Sequence, residues 1–262
     1  MKILMKDIIN AHNGKTAWVI ANGPSTRENL KYIFEIANDS KEREKHIFFV
    51  CNEIDQMLHN IGSSIDFIKP NYWVMANSIM TIQRNHNDFN KIKPWNGKIL
   101  YANSVDWTIN SEKYLQVEFL PYDQRHFDKN ICSTNVVWNR GCCKFCKEEI
   151  QSGRLTIQEE LQQYTNHNKH YGTGSTVALH MLSFAIIMGC NKINVSGVDL
   201  NYQLGYFDNK SLNYDSFAPH LNEILSDFKI IKESAENIKD LKIKNLSKIS
   251  PLKEIFDTGD HL

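Results

Sequence analysis

The chain has 262 residues, 42% of them hydrophobic, enough to bury a substantial core at the upper end of what one α/β domain occupies. Thirty Lys plus Arg balance thirty Asp plus Glu, which excludes a global field that would recruit nucleic acid or an anionic membrane. The first residues, Met1 to Asp7, carry a charge at almost every third position and lack the apolar run of a signal peptide, and no stretch reaches the roughly 18 apolar residues of a membrane span, so a cytoplasmic location is expected.

In chain order, Thr16 to Ala21 is a short apolar run that stops at Asn22-Gly23-Pro24-Ser25, and Asn29 to Ala37 has the spacing of an amphipathic helix. Three further runs end in an amide side chain: His46 to Cys51 at Asn52, Tyr72 to Ala76 at Asn77, and Gly97 to Ala102 at Asn103. Val117 to Leu120 is a fifth candidate strand. Strands separated by helix-sized stretches predict an α/β fold, a Rossmann-like doubly wound parallel sheet. In such sheets ligands bind beyond the carboxyl ends of the strands, where these Asn residues fall.

Between 123 and 170 the apolar periodicity fades into charges, cysteines and a Gln- and His-rich stretch, which predicts an inserted subdomain or lid, leaving 1–122 and 171–262 as the nucleotide-binding domain. Gly172-Thr173-Gly174-Ser175-Thr176 then opens a helix through Ile187 that is apolar almost all round and therefore expected to be central and buried. The strand Lys192 to Val195 follows and runs into Ser196-Gly197-Val198-Asp199. Leu221 to Glu236 reads as a helix, Leu241 to Leu246 as a last strand, and Ser250-Pro251 as a final helix start.

A strand that ends in Gly23-Pro24-Ser25 leaves backbone amides and a hydroxyl to face a phosphate or ribose, with a helix start behind them. The same holds for Gly174-Ser175-Thr176. Each motif taken singly is equally well an ordinary turn or helix cap; together, with Asn52 and Asn77 at neighbouring strand ends, they point to a nucleotide site. Uncharged amides suit a pyrimidine base and ribose, because they offer both donors and acceptors. Asp199 can orient a hydroxyl, bind a divalent cation or cap a helix, and capping or internal hydrogen bonding is the blander role. Neither a Walker A pattern nor Gly-x-Gly-x-x-Gly is present, which disfavours simple ATPases and dinucleotide-dependent dehydrogenases.

The six cysteines (Cys51, Cys132, Cys142, Cys143, Cys146, Cys190) read as reduced thiols rather than a disulfide framework. Cys143 and Cys146 form a single Cys-x-x-Cys, whereas a structural zinc normally shows two ligand pairs, so no metal site is expected.

Taken in order, Ile20-Ala21-Asn22-Gly23-Pro24-Ser25, Val50-Cys51-Asn52, Ala76-Asn77 and Ser196-Gly197-Val198-Asp199 resemble the motifs of bacterial lipooligosaccharide-type sialyltransferases. Tyr202-Gln203, Tyr206-Phe207-Asp208, His220 and Ile243 to Leu252 extend the resemblance to about half the chain. It implies that Asn22, Asn52 and Asn77 contact a CMP-activated sugar, with the turns Gly23-Pro24-Ser25, Gly174 and Ser196-Gly197 and the carboxylate of Asp199 around it. Ser175 and Thr176 would approach the ribose or phosphate. Tyr202 and Tyr206 would hydrogen-bond the leaving phosphate in place of a metal, and His220 would be the general base, acting near its ordinary pKa on a glycan hydroxyl. No cofactor is then required; the partners are a nucleotide sugar and a glycan acceptor, and both a homo-oligomer and peripheral membrane association through a lipid-linked acceptor are compatible with it. The chain departs from that family in having His170-Tyr171-Gly172-Thr173 where the family places an Arg.

The segment Gly174 to Leu179, with Met188-Gly189-Cys190 and Val195 to Leu200, is also similar to 6-hydroxymethylpterin diphosphokinase-like proteins and motility-accessory factors. That similarity implies ATP and Mg²⁺, with Asp199 as the natural metal carboxylate. A third reading is a non-catalytic binding module on the same nucleotide fold.

Overall fold

The computed structural model describes residues 2–3, 10–75, 98–102, 115–119, 176–209, 221–235 and 238–262. Among them, nine strands form one sheet: β1 (Lys2–Ile3), β2 (Thr16–Ile20), β3 (His46–Cys51), β4 (Tyr72–Met75), β5 (Lys98–Ala102), β6 (Leu115–Phe119), β7 (Lys192–Ser196), β8 (Lys242–Asn245) and β9 (Asp257–Thr258). Their order is β1-β6-β5-β4-β3-β2-β7-β8-β9, and every pairing is parallel. Strand order runs outward in one direction from β2 to β6 and in the other from β7 to β9. This is the doubly wound α/β arrangement, and its switch point lies between β2 and β7.

The central strands are continuous apolar runs because a parallel sheet is covered on both faces. Every residue of β3 is buried, as are Ala17 to Ile20 of β2 and Tyr72 to Val74 of β4. The α-helices among the described residues are α1 (Ser25–Asn38), α2 (Ser40–Arg43), α3 (Ile54–Asn60), α4 (Val177–Ile187) and α5 (Leu221–Ala235). The amphipathic α1 buries Leu30, Ile33, Ile36 and Ala37 on one face. As its composition predicts, α4 is central: it lies against β2, β3, β4 and β7, with Leu179, Leu182, Phe184 and Ala185 fully buried. A Schellman turn ends it, in which the amide of Gly189 bonds the carbonyl of Ile186 and that of Cys190 the carbonyl of Ala185, both at 3.0 Å.

Two local expectations are revised. The helix expected from Asn29 starts four residues earlier, at Ser25, because Pro24 already sits at a helical φ of −54° and the first free amide finds a distant acceptor, described below. The final helix at Ser250-Pro251 is only one 3₁₀ turn, Pro251–Glu254, capped by the Ser250 hydroxyl. The two-residue strands β1 and β9 are too short to carry an alternating or apolar signature. The segment read as an inserted subdomain, 123–170, and the cysteine cluster Cys142, Cys143 and Cys146 lie outside the described residues.

At the amino-terminal half of the central strands, the Trp18 ring stacks on Phe48, and its indole N–H donates to Nδ1 of His46 at 2.9 Å. The Arg43 guanidinium covers the Phe48 ring at 4.6 Å. Burial pushes the His46 pKa below its ordinary value, a pull that Glu42, 3.7 Å from Nε2, opposes in part. The imidazole must also stay unprotonated at Nδ1 to accept from Trp18. The unfolded chain therefore binds this proton more tightly than the native state, so stability is full above the ordinary imidazole pKa of about 6.5 and is lost as pH falls from there through the lowered native value. In urea titrations between pH 7.5 and 5.5, the wild-type chain is expected to weaken with acid. His46→Gln, whose amide oxygen accepts from Trp18 without titrating, should lose most of that slope.

Candidate functional site

The switch-point corner is built where the segment leaving β2 meets the segment leaving β7. The amide of Ala21 donates to the carbonyl of Ser196 at 2.9 Å, and the amide of Gly23 to the carbonyl of Gly197 at 2.8 Å, so the pairing of β2 with β7 continues past the strands into both turns. That approach leaves no room for side chains. A Cβ at Gly23 would lie 2.5 Å from both the Asp199 carboxylate and the Gly197 carbonyl; one at Gly197, where φ is +74°, would lie 2.1 Å from the Thr26 hydroxyl. Hydroxyls and amides fill the remaining space. Thr26 Oγ1 donates to the carbonyl of Ala21 at 2.7 Å, and Asn29 Nδ2 donates to Ser196 Oγ at 3.0 Å.

Asp199 is the hub of this corner, only 2% exposed. Its Oδ2 accepts the Ser25 amide at 2.8 Å, capping α1 from the far side of the switch point, and its Oδ1 accepts the Ser247 hydroxyl. A buried carboxylate is tolerated only when donors surround it, and backbone N–H groups at a helix start are among the best. Ser247 then accepts the Ser250 amide at 3.1 Å, while the Ser250 hydroxyl donates to the carbonyl of Val198 at 2.7 Å.

This arrangement corrects one expectation. The Ser25 amide was expected to face a ligand, yet it is bound by Asp199, while Ser25 Oγ accepts the Gly197 amide at 3.1 Å and keeps its own proton to donate. Asp199 thus takes the capping and internal role among those open to it.

The amides behave differently. In register, Ile20 pairs with Val50, which sets Asn22 and Asn52 side by side beyond β2 and β3. Asn22 is 8% exposed, and the Cys51 thiol lies 3.9 Å from its Oδ1. Asn52 adopts a left-handed φ of +46°, uncommon for a residue with a side chain, and its carbonyl accepts the Trp73 indole N–H at 2.8 Å. Its side-chain Oδ1 is buried with no hydrogen-bond partner among the described residues. Other buried side-chain atoms share this state among the described residues, Ser183 Oγ, Asn191 Oδ1 and Asn194 Nδ2 included, and what sets Asn52 apart is its place just beyond the carboxyl end of β3, where ligands bind in sheets of this kind. Burial, and secondarily the nearby Glu53, push the Cys51 thiol pKa up, which disfavours its thiolate form.

The segment after β7 crosses this corner. The Phe207 amide donates to the carbonyl of Asn22 at 3.0 Å, the Phe207 ring is buried, and Tyr206, one residue earlier, packs against the core. Tyr202 opens a 3₁₀ turn, Tyr202–Leu204, in the same segment. Thr176 is the N-cap of α4, its hydroxyl accepting the Ala178 amide at 3.0 Å, which leaves the hydroxyl proton free to donate. Asn77, Gly174, Ser175 and His220 lie outside the described residues. The structure therefore brings together Asn22, Gly23, Pro24, Ser25, Ser196, Gly197 and Asp199, with Asn52 beside them and the backbone next to Tyr206 bonded to Asn22. Sequence reasoning missed the roles of Thr26, Asn29 and Ser247, which are ordinary polar residues in sequence and gain meaning only from the crossing of the two turns.

No protein-family model and no curated protein sequence matches the chain. Among solved structures, it is similar to the MAf glycosyltransferase from Magnetospirillum magneticum AMB-1, with a TM-score of 0.53 and 11% identity over 96% of this chain. The fold is glycosyltransferase-like. The chain spans about a third of that protein's length, 34%. It also resembles the sialyltransferase CstII from Campylobacter jejuni in complex with cytidine-5'-monophosphate, at a TM-score of 0.47 and 16% identity, covering 95% of this chain and 86% of that one. A structure of CstII with CMP-3FNeuAc aligns at 0.44 with 15% identity, covering 95% and 86%. Among the described residues no helix is long and apolar enough to cross a membrane, and no three His, Cys, Asp or Glu side chains are grouped to hold a metal ion.

The corner makes a direct stability prediction. Gly197→Ala combines a left-handed φ with a clash against Thr26 and Ala21, and should destabilise the fold by more than about 3 kcal/mol in urea unfolding. Asp199→Ala strands the Ser25 amide and the Ser247 hydroxyl and should lose about 2–3 kcal/mol, with Asp199→Asn losing less.

Proposed function

We propose that this protein is a glycosyltransferase that moves sialic acid or a related sugar from a CMP-activated donor to a glycan hydroxyl, without a metal. The observation that carries the reading is the buried Oδ1 of Asn52, unpartnered among the described residues and set beside Asn22 at the carboxyl ends of the central strands. An amide oxygen held there accepts an N–H or O–H from a nucleoside, as the exocyclic amine of cytosine or a ribose hydroxyl would offer. The ordered motifs around it and the glycosyltransferase-like fold support the same class.

In this reading the donor lies over the Asn22 and Asn52 corner, with Thr176 donating its remaining hydroxyl proton toward the ribose or phosphate. Asn77, Gly174 and Ser175 complete the donor side. Tyr202 and Tyr206 give their phenolic protons as hydrogen bonds to the phosphate of the departing CMP, which disperses its growing charge without a cation. His220 takes the proton from the acceptor hydroxyl as that oxygen attacks the anomeric carbon from the opposite face, and the configuration inverts.

The Mg²⁺-dependent diphosphokinase reading needed Asp199 as a metal ligand. Asp199 is only 2% exposed and each of its oxygens already accepts an internal hydrogen bond, so a cation would have to share a buried carboxylate that caps α1. That burial supports the sugar transferase.

The first test is a thermal-shift panel of CMP, CDP, UDP, GDP, ATP and ADP, each with EDTA and with Mg²⁺. At a concentration of about 100 times Kd, CMP in EDTA should add about 2.7 kcal/mol, raising Tm by about 5 °C or more. Stabilisation by ATP or ADP only with Mg²⁺ would sink the proposal. Asn52→Ala should weaken CMP by about tenfold. His220→Ala should keep CMP binding while transfer falls by about 100-fold or more, and unchanged transfer would remove His220 from the mechanism.

A further inference from the structure

The segment after β7 does more than touch the β2 turn. It leaves β7, passes over the end of β2, where the Phe207 amide bonds the Asn22 carbonyl, and ends against the helix that follows β3. There Asp208 Oδ2 accepts from Asn60 Nδ2 at 2.8 Å, at the last residue of α3. Asn60 is itself oriented, because its Oδ1 accepts from Gln56 Nε2 at 3.0 Å one turn earlier, which aims the Nδ2 donor outward. Three adjacent strands, β7, β2 and β3, are thus bridged by one short segment. It begins at Leu200, with φ of +51°, and ends at Asn209, with φ of +67°. Left-handed conformations at residues with side chains persist only where surrounding contacts hold them.

We propose that Asn60 and Asp208 are positioning residues: their hydrogen bond sets the register of the 202–209 segment across the end of β2 and so holds Tyr206 at the Asn22 and Asn52 corner. The inference rests on reading that corner as the donor site. In that reading neither side chain contacts the donor. The Phe207 amide and its buried ring hold the segment over the end of β2, and the bond to α3 fixes where it ends.

The bond is directional, so exchanging donor and acceptor tests it. Asn60→Asp places two carboxylates together; Asn60→Asp with Asp208→Asn restores a donor and an acceptor in the opposite sense. The readouts are backbone hydrogen exchange at Phe207, with Val19 in β2 as internal control, and the Kd for CMP. Asn60→Asp should speed Phe207 exchange and weaken CMP binding by about tenfold each, with Val19 exchange unchanged, and the double variant should recover most of both. Unchanged Phe207 exchange in Asn60→Asp, or a double variant no better than the single one, would overturn the proposal. So would altered exchange with CMP affinity equal in all variants. If the wild-type chain binds no CMP while exchange follows the expected pattern, the registering bond stands and the donor-site reading is the one that fails.

Discussion

A single buried carboxylate ties the molecule together. Asp199 sits where the two halves of the doubly wound sheet part, and it has no solvent to stabilise its charge. Its needs are met by the first amide of α1 and by the Ser247 hydroxyl, so one side chain joins the end of β7, the start of the first helix and the segment after β8. Gly23 and Gly197 are small because any larger residue would push the carboxylate and the turns apart. The corner is consequently rigid, and the groups left for recognition are the amides at its edge rather than the turn itself.

That division of labour explains how the candidate site is organised. Ser25, Thr26, Ser196 and Gly197 are spent on one another, forming a floor. Asn22 and Asn52 stand beside this floor, and the 202–209 segment lies above it. Rigid support beneath a small number of exposed or unsatisfied polar groups is what a site needs if it is to select among nucleotides, because groups held in place lose little entropy when a ligand arrives.

Much of the fold was legible in the residues. The runs Thr16 to Ile20, His46 to Cys51 and Tyr72 to Met75 show as strands because burial leaves them uninterrupted, and α4 shows as central because it lacks a polar face. Asn22 and Asn52 beyond β2 and β3 were legible for the same reason: an abrupt amide after an apolar run is visible without knowing what lies across from it. What was hidden depends on distant partners. The true start of α1 is set by an acceptor 174 residues away, and no local cap announces it. The Ser25 amide looked like a ligand donor until its acceptor was seen, and Ser247, Asn60 and Asp208 are unremarkable polar residues until the chain crossings bring them together.

The pairing of β2 with β7 also has a consequence for the order in which the chain is made. Some 170 residues separate Ser25 from Asp199, and Ser247 comes 48 residues later still. As the polypeptide emerges from the ribosome, β2, β3 and β4 are available early, yet one edge of β2 stays open and α1 starts without its acceptor until β7 has been synthesised. Contacts of such long sequence separation form slowly and leave an apolar strand edge exposed to neighbours in the meantime. The corner therefore closes only after β7 and the segment that follows β8 have been made.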